Sequence, residues 1–593
     1  MNICIVQMNV IPGKPDLNFE TIKKEVKNAV ANQSDLVVFP EMCLSGILVG
    51  NYFENASFLA RCVDFGNQVV ALSNSIDILF GNVAVEAGVG DCDRALLYNA
   101  AFYASGGALE PLVVCEKVIK CFLPKILLPC SRQFDERYYF SDMQELSYSL
   151  NQSLELLLTP YTTKKGIRIG LSIGEDILAA PMSECDLFIN ISSMPYEMGK
   201  QKERHTIFSG HAKRHKIPLI YVNAVGTQNN GKNIYAFEGG SSIYDPCGNL
   251  VFEESAFKSC TTTVGYQNKK IKVAKEQHES LSEMAKVRSA LVYMIAENLR
   301  RFGIERVVIG ASGGIDSAVC AALYTEALGA DNVFLVSMPT CFNSSTTRQA
   351  AKDLATNLGT PYLEAPITES LGVFCKSLAL LSFDGNKTPL KVEGINHENL
   401  QARTRSTIFL ATIASVLNAA FTCNGNKSEV MVGYCTLYGD TSGIFCAIGD
   451  LWKTQVYELA LEINREKVLI PLASIEVPAS AELSELQNVD EGKGDPINYQ
   501  YHDKLFSFWM ERKAQYSLAD SIAALVDGTL FEKLGVSELE FRLWFKTNEE
   551  AVNDMTYWWN RYKGIGVGKR VQMPPILSVS CRAFGFDLRE SQI

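Results

Sequence analysis

The feature that most constrains the fold is a short glycine-containing loop between a strand and a helix. An apolar run covers residues 307–310, and the loop reads Ala311-Ser312-Gly313-Gly314-Ile315-Asp316-Ser317 before a helical pattern of apolar residues. A second apolar run at 333–336 makes the order strand, helix, strand, which predicts a parallel sheet. Adjacent glycines let backbone N–H groups approach an anion, and the helix presents its positive end to it. The loop therefore predicts a site of pyrophosphate size.

Two common nucleotide-binding patterns are excluded at this loop. The Walker pattern G-x-x-x-x-G-K-[ST] and its lysine are absent, and so is the dinucleotide pattern G-x-G-x-x-G. A plain glycine turn between strand and helix is the structural alternative. The hydroxyls of the two serines add hydrogen-bond donors beside the glycines, which favours the anion site.

The hexapeptide 312–317 resembles the pyrophosphate loop of the ATP pyrophosphatases, which cleave ATP between its α- and β-phosphates to adenylate a substrate. Five further segments stand in the order seen in NAD⁺ synthetases, and the resemblance spans nearly all of residues 283–590. These segments are Glu398-Asn399-Leu400-Gln401-Ala402-Arg403, Asn426-Lys427-Ser428-Glu429, Gly433-Tyr434-Cys435-Thr436-Leu437-Tyr438-Gly439-Asp440, Ser480-Ala481-Glu482-Leu483 and Lys569-Arg570-Val571-Gln572-Met573-Pro574-Pro575.

This resemblance implies a doubly wound parallel-sheet domain that makes NAD⁺ from deamido-NAD⁺ through an acyl-adenylate, with ATP as substrate and Mg²⁺ as cofactor. The implied metal ligands are Asp316 and Glu429. The implied ATP contacts are Gly310, Ser312, Gly313, Gly314, Asp316, Ser317, Thr436, Lys453 and Ser480. The implied deamido-NAD⁺ contacts are Asn399, Arg403, Asp440 and Lys569. For Lys453 and Lys569 taken singly, a solvated surface lysine is the alternative. Polar loops at 340–347 and 484–496 are candidate lids.

The N-terminal half alternates apolar strands with amphipathic segments, which predicts a layered α/β unit. The clearest strands are 3–8, 36–39, 78–85, 167–173, 187–191 and 219–225. Most of residues 1–260 resembles the nitrilase-like carbon–nitrogen hydrolase domain, an α-β-β-α layered fold that acts as a glutaminase. The motif Phe39-Pro40-Glu41 then supplies a general base, and Lys125, before Phe134-Asp135-Glu136-Arg137, stabilises an oxyanion. Lys120 is a poorer candidate because it lies five residues too early.

The family's third catalytic residue, a cysteine before Glu-Asp, is replaced here by Gly174. Glycine has no nucleophile, and Ser172 lies two residues away along a strand, too far to substitute. Two further positions depart from the family's glutamine pocket: Ser131 replaces a tyrosine, and Met194 replaces the second serine of Ser-x-Ser-Pro. Ser193 and Lys200 match the pocket motif, and no spacing argues for Cys185 as a substitute.

Three explanations of Gly174 remain open: natural loss of glutaminase activity, which the altered pocket favours, a deliberate mutation, and relocated chemistry. The leading hypothesis is an ATP-dependent ligase that uses free ammonia and carries a degenerate amidase domain. The first alternative is a glutamine-dependent synthetase whose cysteine was replaced at Gly174. The second is a non-catalytic protein that senses ATP or a dinucleotide.

Length and composition bound the remaining expectations. The chain has 593 residues, a length that suits three or four units or two large α/β domains. We predict two domains, residues 1–265 and 283–593, joined by a linker at 266–282. The net charge of −11 disfavours nucleic-acid binding. The longest apolar stretch, 408–423, contains polar residues and suits a buried helix better than a membrane span. No signal peptide is visible, and the 17 cysteines fit reduced core residues without a metal. We therefore expect a cytoplasmic protein without membrane insertion, and the resemblance implies a homo-oligomer.

Overall fold

The computed structural model describes residues 1–86, 95–115, 118–130, 133–179, 184–273, 281–383, 388–511 and 516–584. Two compact units make up the chain. The first comprises Met1–Asn230 and Ile234–Leu281, and the second comprises Gly231–Asn233 and Ser282–Ile593.

The first unit contains two packed β-sheets. Within the described residues, one has eight strands: Asn2–Gln7, Leu36–Val38, Asp77–Glu86, Leu96–Ser105, Ala108–Leu109, Leu123–Pro124, Cys260–Gln267 and Lys270–Val273. The other has six: Tyr161–Thr162, Arg168–Ile173, Leu187–Ser192, Leu219–Asn223, Ser242–Tyr244 and Leu250–Glu253. The six strands predicted in this half are all present.

Alternating side chains along each strand place one face of each sheet in a common core. Ile3 and Ile5 from the larger sheet belong to the same buried cluster as Ile189 and Ile191 from the smaller one. The opposite faces are covered by helices. Pro15–Ala31 and Ala56–Leu72 cover the larger sheet, and Lys200–His215 covers the smaller. The α-β-β-α layering is confirmed.

Shorter elements complete the first unit. They are the strands Val113–Cys115, Val118–Lys120, Val225–Asn230 and Asn233–Glu238, the helices Glu136–Tyr139, Met143–Leu150 and Leu154–Leu157, and the 3₁₀ turns Gly50–Glu54 and Gly174–Leu178. The turn at Gly174 directly follows the strand Arg168–Ile173, so residue 174 lies at the carboxyl end of that strand.

The second unit is built on a four-stranded parallel sheet in the order Tyr362–Glu364, Val333–Ser337, Val307–Gly310, Ala420–Phe421. The predicted parallel sheet is confirmed. Helices around it are Glu283–Phe302, Ile315–Leu328, Ser345–Leu358, Thr368–Ala379, Ile395–Arg403, Ala411–Val416, Lys427–Val432, Lys453–Ile463 and Leu472–Glu476, with a π-helical turn at Thr404–Leu410.

A helical region follows in the second unit, centred on its own aromatic core around Trp509 and Trp558. Its helices are Tyr499–Met510, Leu518–Val526, Leu530–Leu534, Glu538–Trp544, Asn548–Lys563 and Ile565–Gln572, and a short strand, Ile576–Ser578, comes after them. Large aromatic side chains lie at the centre of this core, where Tyr501, Phe506 and Trp509 are fully buried.

Two sequence expectations need correction. Residues 408–423 do not form one buried helix: the helix ends at Val416, which is 80% exposed, and Ala420–Phe421 is a strand of the sheet. Within the described part of the chain the cysteines are free thiols, but they are not all core residues, because Cys130, Cys247 and Cys341 are exposed. No helix in that part is long and apolar enough to cross a membrane.

Candidate active sites

The glycine loop of the second unit lies at the carboxyl end of the strand Val307–Gly310, where Ala311 N donates to Val336 O at 2.9 Å. Gly313 has φ +86°, and a Cβ there would lie 2.0 Å from the carbonyl oxygen of Thr347, so only glycine fits. The Ser474 hydroxyl donates to the Gly313 carbonyl at 2.8 Å. Ser474 therefore holds the loop in place, although it lies far from the loop in the sequence.

The loop opens into a cavity of about 270 Å³ in the second unit. Of the predicted ATP contacts, Gly310, Ser312, Gly314, Asp316, Ser317, Lys453 and Ser480 line it, and so do Glu429 and Asp440. Gly313 and Thr436 lie outside this lining. Arg405, Glu482 and Asp495 also line the cavity. None of these three residues has a role predicted from the sequence. Glu482 belongs to the quoted segment 480–483, and Asp495 lies in the predicted lid 484–496.

An ion-pair cluster occupies one side of the cavity. Lys453 Nζ lies 2.5 Å from Asp316 Oδ2 and 3.2 Å from Glu429 Oε1, and its side chain is buried. Burial opposes the charge of Lys453, but the two carboxylates outweigh burial and raise its pKa. Burial raises the pKa of Glu429 to about 7, with Asp316 adding to the rise. Lys453 is therefore not a solvated surface lysine.

Most of the predicted deamido-NAD⁺ contacts converge on the segment 433–440. Thr436 Oγ1 donates to Asn399 Oδ1 at 2.8 Å, and Thr436 N donates to Asp440 Oδ1 at 2.6 Å. Arg403 Nε donates to the Leu437 carbonyl at 3.1 Å. Lys569 Nζ donates to the carbonyls of Gly433 and Cys435. Burial raises the pKa of Asp440 to about 6. Asp440 also lines the cavity. It therefore belongs both to the residues around the cavity and to the predicted deamido-NAD⁺ contacts.

The two predicted lid segments, 340–347 and 484–496, touch each other. Thr346 Oγ1 donates to Asp490 Oδ1 at 2.6 Å. Buried Glu482, just before the second segment, accepts hydrogen bonds from Thr347 Oγ1 at 2.6 Å and from Ser344 N at 3.1 Å. The carboxylates of Glu482 and Asp490 thus lie at the N-terminus of the helix Ser345–Leu358, where negative charge is stabilised.

The predicted amidase residues of the first unit form a buried network. Lys125 Nζ lies 2.7 Å from Glu41 Oε1 and 2.8 Å from Glu136 Oε1, and Asn99 Nδ2 donates to both carboxylates. The two carboxylates raise the pKa of Lys125 despite the opposing effect of burial, whereas burial raises the pKa of Glu136 to about 7. Sequence reasoning quoted Glu136 as part of a motif and assigned it no role. Lys120 pairs instead with Glu86 at 2.6 Å.

Gly174 faces this network. A Cβ at Gly174 would lie 3.1 Å from Lys125 Nζ and 3.4 Å from Glu41 Oε2. The residue has φ +54°, a conformation that glycine adopts without strain. Ser172 does not share this arrangement, since its Oγ accepts a hydrogen bond from Asn190 Nδ2 at 2.8 Å.

The other predicted pocket positions differ in their surroundings. Ser193 holds the base: its N donates to Glu41 Oε2 at 2.8 Å and its Oγ to the Glu41 carbonyl at 2.7 Å. Met194 packs beside an apolar cluster, and Lys200 pairs with Glu203 at 3.1 Å on the outer helix. Cys185 is buried within the core under that helix. Ser131 lies outside the described residues.

Comparison with known proteins matches both halves of the chain. The carbon–nitrogen hydrolase family matches residues 2–275, and the NAD synthase family matches residues 287–527. A glutamine-dependent NAD(+) synthetase of Synechocystis is 31% identical over 501 residues, which are 81% of this chain and 84% of that protein. One of Aquifex aeolicus is 29% identical, covering 86% of this chain and 89% of the other.

Solved structures agree with the sequence comparison. The glutamine-dependent NAD⁺ synthetase of Acinetobacter baumannii, determined with ADP, is 26% identical with a TM-score of 0.69, covering 99% of this chain and 97% of the other. The enzyme of Cytophaga hutchinsonii shares the fold, with a TM-score of 0.75 at 18% identity over 100% of this chain and 97% of that one.

Proposed function

Because the chain belongs to the glutamine-dependent NAD⁺ synthetase family, whose members are ATP-dependent ligases that form a carbon–nitrogen bond, we propose that it amidates deamido-NAD⁺ with free ammonia. Residues 1–265 are then a degenerate amidase domain, and residues 283–593 are the working synthetase domain. The segment proposed as the linker, 266–282, also supplies the strand Lys270–Val273 to the larger sheet of the first unit. We propose further that the chain forms a homo-oligomer.

The observation that carries the choice of ammonia is the position of Gly174. Glu41 and Lys125 point at the place where a side chain at 174 would begin, 3.1 to 3.4 Å away, but glycine supplies no atom to attack an amide. A base and an oxyanion-stabilising cation without a nucleophile cannot form the acyl-enzyme that releases ammonia from glutamine. Ammonia must then come from solution.

The adenylation step suits the cavity of the second unit. A carboxylate oxygen of the nicotinate group attacks the α-phosphorus, the bond to the bridging oxygen of the β-phosphate breaks, and pyrophosphate leaves with the electron pair. The donors of the loop bond to each other in the structure: Ser312 Oγ lies 3.1 Å from Ser317 Oγ, and Gly314 N donates to Ser312 Oγ at 3.2 Å. We propose that these groups, together with the N–H of Gly313, donate to the departing phosphates when ATP binds. Ammonia then attacks the acyl carbon and AMP leaves.

We propose that a magnesium ion binds in the same cavity. Asp316 and Glu429 present carboxylate oxygens, the ligands that Mg²⁺ prefers, on either side of one ammonium. Their mutual repulsion contributes to the raised pKa of Glu429, which indicates negative charge that a cation would relieve. Asp316 and Glu429 would hold the ion, which would neutralise charge on the phosphates. Lys453 holds the two carboxylates in place.

The test compares two nitrogen sources. The purified chain is incubated with ATP, Mg²⁺ and deamido-NAD⁺, with either ammonium or glutamine, and NAD⁺ is measured. The variants are Gly174→Cys and, as a matched control that adds only a methyl group, Gly174→Ala. We expect NAD⁺ from ammonium in all three proteins and none from glutamine in the unaltered chain.

Each other outcome has a definite meaning. Glutamine-driven NAD⁺ formation in the unaltered chain would contradict the loss of glutaminase activity and favour relocated chemistry. Gain of glutamine use in Gly174→Cys alone would show that the glutamine pocket is intact. Failure of that gain would indicate that Ser131 and Met194 have altered the pocket as well. Absence of NAD⁺ from either source would favour a nucleotide-sensing protein.

A further inference from the structure

Arg405 brings to the nucleotide cavity a positive charge that is not neutralised. Its Nε donates to the Met338 carbonyl at 3.0 Å, and its Nη2 donates to Asn343 Oδ1 at 3.3 Å and to Gln401 Oε1 at 3.5 Å. All three acceptors are neutral. Among the described residues no carboxylate forms an ion pair with this guanidinium. A buried arginine usually pairs with a carboxylate or a phosphate, because two oxygens of either group match the planar guanidinium.

The other cations of the cavity lining are already paired. Lys453 is held by Asp316 and Glu429, and Arg348 Nη2 lies 2.7 Å from Glu364 Oε1. Arg405 is therefore the cation of the described lining whose charge is available to an incoming anion.

The local backbone directs Arg405 into the cavity. Arg403 and Arg405 are two positions apart, which is about 200° around a helix, so they point to opposite sides. Arg403 accordingly reaches the Leu437 carbonyl, while Arg405 reaches Met338 at the end of a sheet strand. The chain is π-helical from Thr404 to Leu410, a rare geometry that occurs often at functional sites.

The surroundings of Arg405 oppose its charge in the absence of a ligand. Burial lowers the pKa of Arg405 to about 10, and the negative charge of Glu482 partly offsets this effect. The Glu482 carboxylate itself accepts hydrogen bonds from Ser344 and Thr347. The side chain stays protonated at neutral pH but gains little from its neighbours. A bound phosphate would supply the missing counter-charge.

We propose that Arg405 contacts the phosphate chain of the bound nucleoside triphosphate and is a catalytic residue of the adenylation step. This inference rests on the proposed function. The glycine loop supplies neutral hydrogen-bond donors to the phosphates, and Arg405 adds the charge that they lack. Negative charge accumulates on the departing pyrophosphate as the bond to the α-phosphorus breaks, so a guanidinium at that point lowers the barrier.

Calorimetric titration of the full chain with ATP and, separately, with adenosine tests the contact. The variants are Arg405→Gln and Arg405→Lys. The control is Arg288→Gln, which removes an arginine outside the cavity that pairs with Glu326 at 2.7 Å. We expect Arg405→Gln to weaken ATP binding at least tenfold and to leave adenosine binding within twofold. Arg405→Lys keeps the charge and should lose less, and Arg288→Gln should bind as the unaltered chain does.

Other results would overturn the proposal. Equal losses for ATP and adenosine would place Arg405 at the base or assign it to cavity shape, and unchanged ATP affinity would exclude contact. If Arg405→Gln fails to fold, Arg405→Lys carries the same comparison. NAD⁺ formation is measured in parallel. If the chain binds ATP through Arg405 but makes no NAD⁺, the phosphate contact stands, whereas the proposed function and the catalytic role of Arg405 are overturned. If the unaltered chain binds no ATP, both the Arg405 proposal and the proposed function are overturned.

Discussion

The ammonium of Lys125 lies 3.1 Å from the point where a side chain on Gly174 would begin. The backbone at Gly174 is left-handed, with φ +54°. A side chain there would meet Lys125 and Glu41 in a space that is already tight. A side chain at position 174 would therefore lie beside the base and the cation, but glycine supplies no side chain.

Gly174→Ala should destabilise the protein more than Gly166→Ala does. Both glycines have positive φ, so each substitution carries backbone strain of about 1–2 kcal/mol. A Cβ at Gly166 meets nothing within 4 Å, whereas one at Gly174 crowds Lys125, which adds an overpacking cost of about 1–3 kcal/mol. Urea unfolding of the two variants measures the difference. Equal losses would show that the Lys125 side chain moves aside freely.

Lys125→Met should cost about 3–5 kcal/mol of unfolding free energy, because it leaves Glu41 and Glu136 buried without their cation. Lys120→Met is the matched control, since Lys120 makes a 2.6 Å ion pair with Glu86 but at a more exposed site. We expect the control to lose about 1 kcal/mol or less. Denaturant unfolding of both variants measures the two losses of unfolding free energy. A small loss in Lys125→Met would mean that the network contributes little to stability.

The pH dependence of stability should be weaker in Glu136→Gln than in the unaltered chain. Burial raises the pKa of Glu136 to about 7, so between about pH 4.5 and 7 the folded protein holds a proton that the unfolded chain releases. The contribution of Glu136 to stability is therefore present at low pH and is lost as pH rises to about 7. Urea titrations at pH 5 and 7.5 measure the two slopes. An identical decline in both proteins would assign the proton to another group, such as Asp176, whose pKa burial also raises to about 7.

The sequence alone predicts the strands, the order of elements and the loop at 312–317, because these depend on local periodicity and turn chemistry. It does not predict where long stretches change structure. Residues 408–423 are apolar enough for one helix, yet pairing of Ala420 with Val307 across the sheet ends the helix early. Such pairing depends on residues more than 100 positions apart, which no local pattern reports.

The candidate site residues also divide into those that a local pattern predicts and those that depend on distant contacts. Motifs reveal residues that stand in recognisable runs, such as Asp316 and Glu429. Ser474 and Arg405 have no such signal, because their roles come from contacts with Gly313 and Met338 in distant segments. The unpaired charge of Arg405 is visible only once the partners of every neighbouring carboxylate are known.

Ser474→Ala should raise the KM for ATP about threefold to tenfold with little change in kcat. The Ser474 hydroxyl holds the Gly313 carbonyl, and losing one such hydrogen bond costs about 0.5–1.5 kcal/mol of loop order. Ser377→Ala is the control, because its hydroxyl makes a similar 2.9 Å bond within an exposed helix. Steady-state rates with ammonium as nitrogen source provide both constants. A fall in kcat at constant KM would place Ser474 in the chemical step instead.

Asp490→Ala should make the segments 340–347 and 484–496 more sensitive to proteolysis in the absence of substrates. Asp490 joins them through a 2.6 Å hydrogen bond from Thr346, and its removal frees the second segment from the first. ATP with deamido-NAD⁺ should restore protection if both segments order over bound substrate. Asp353→Ala is the control: it removes an exposed carboxylate that accepts a hydrogen bond from Gln349 on the same helix, and it should be cleaved like the unaltered chain. Limited proteolysis with mass spectrometry of the fragments maps the cleavage sites. Cleavage of both segments that is equal with and without substrates would contradict a lid role, because a lid must be more ordered when the site is filled.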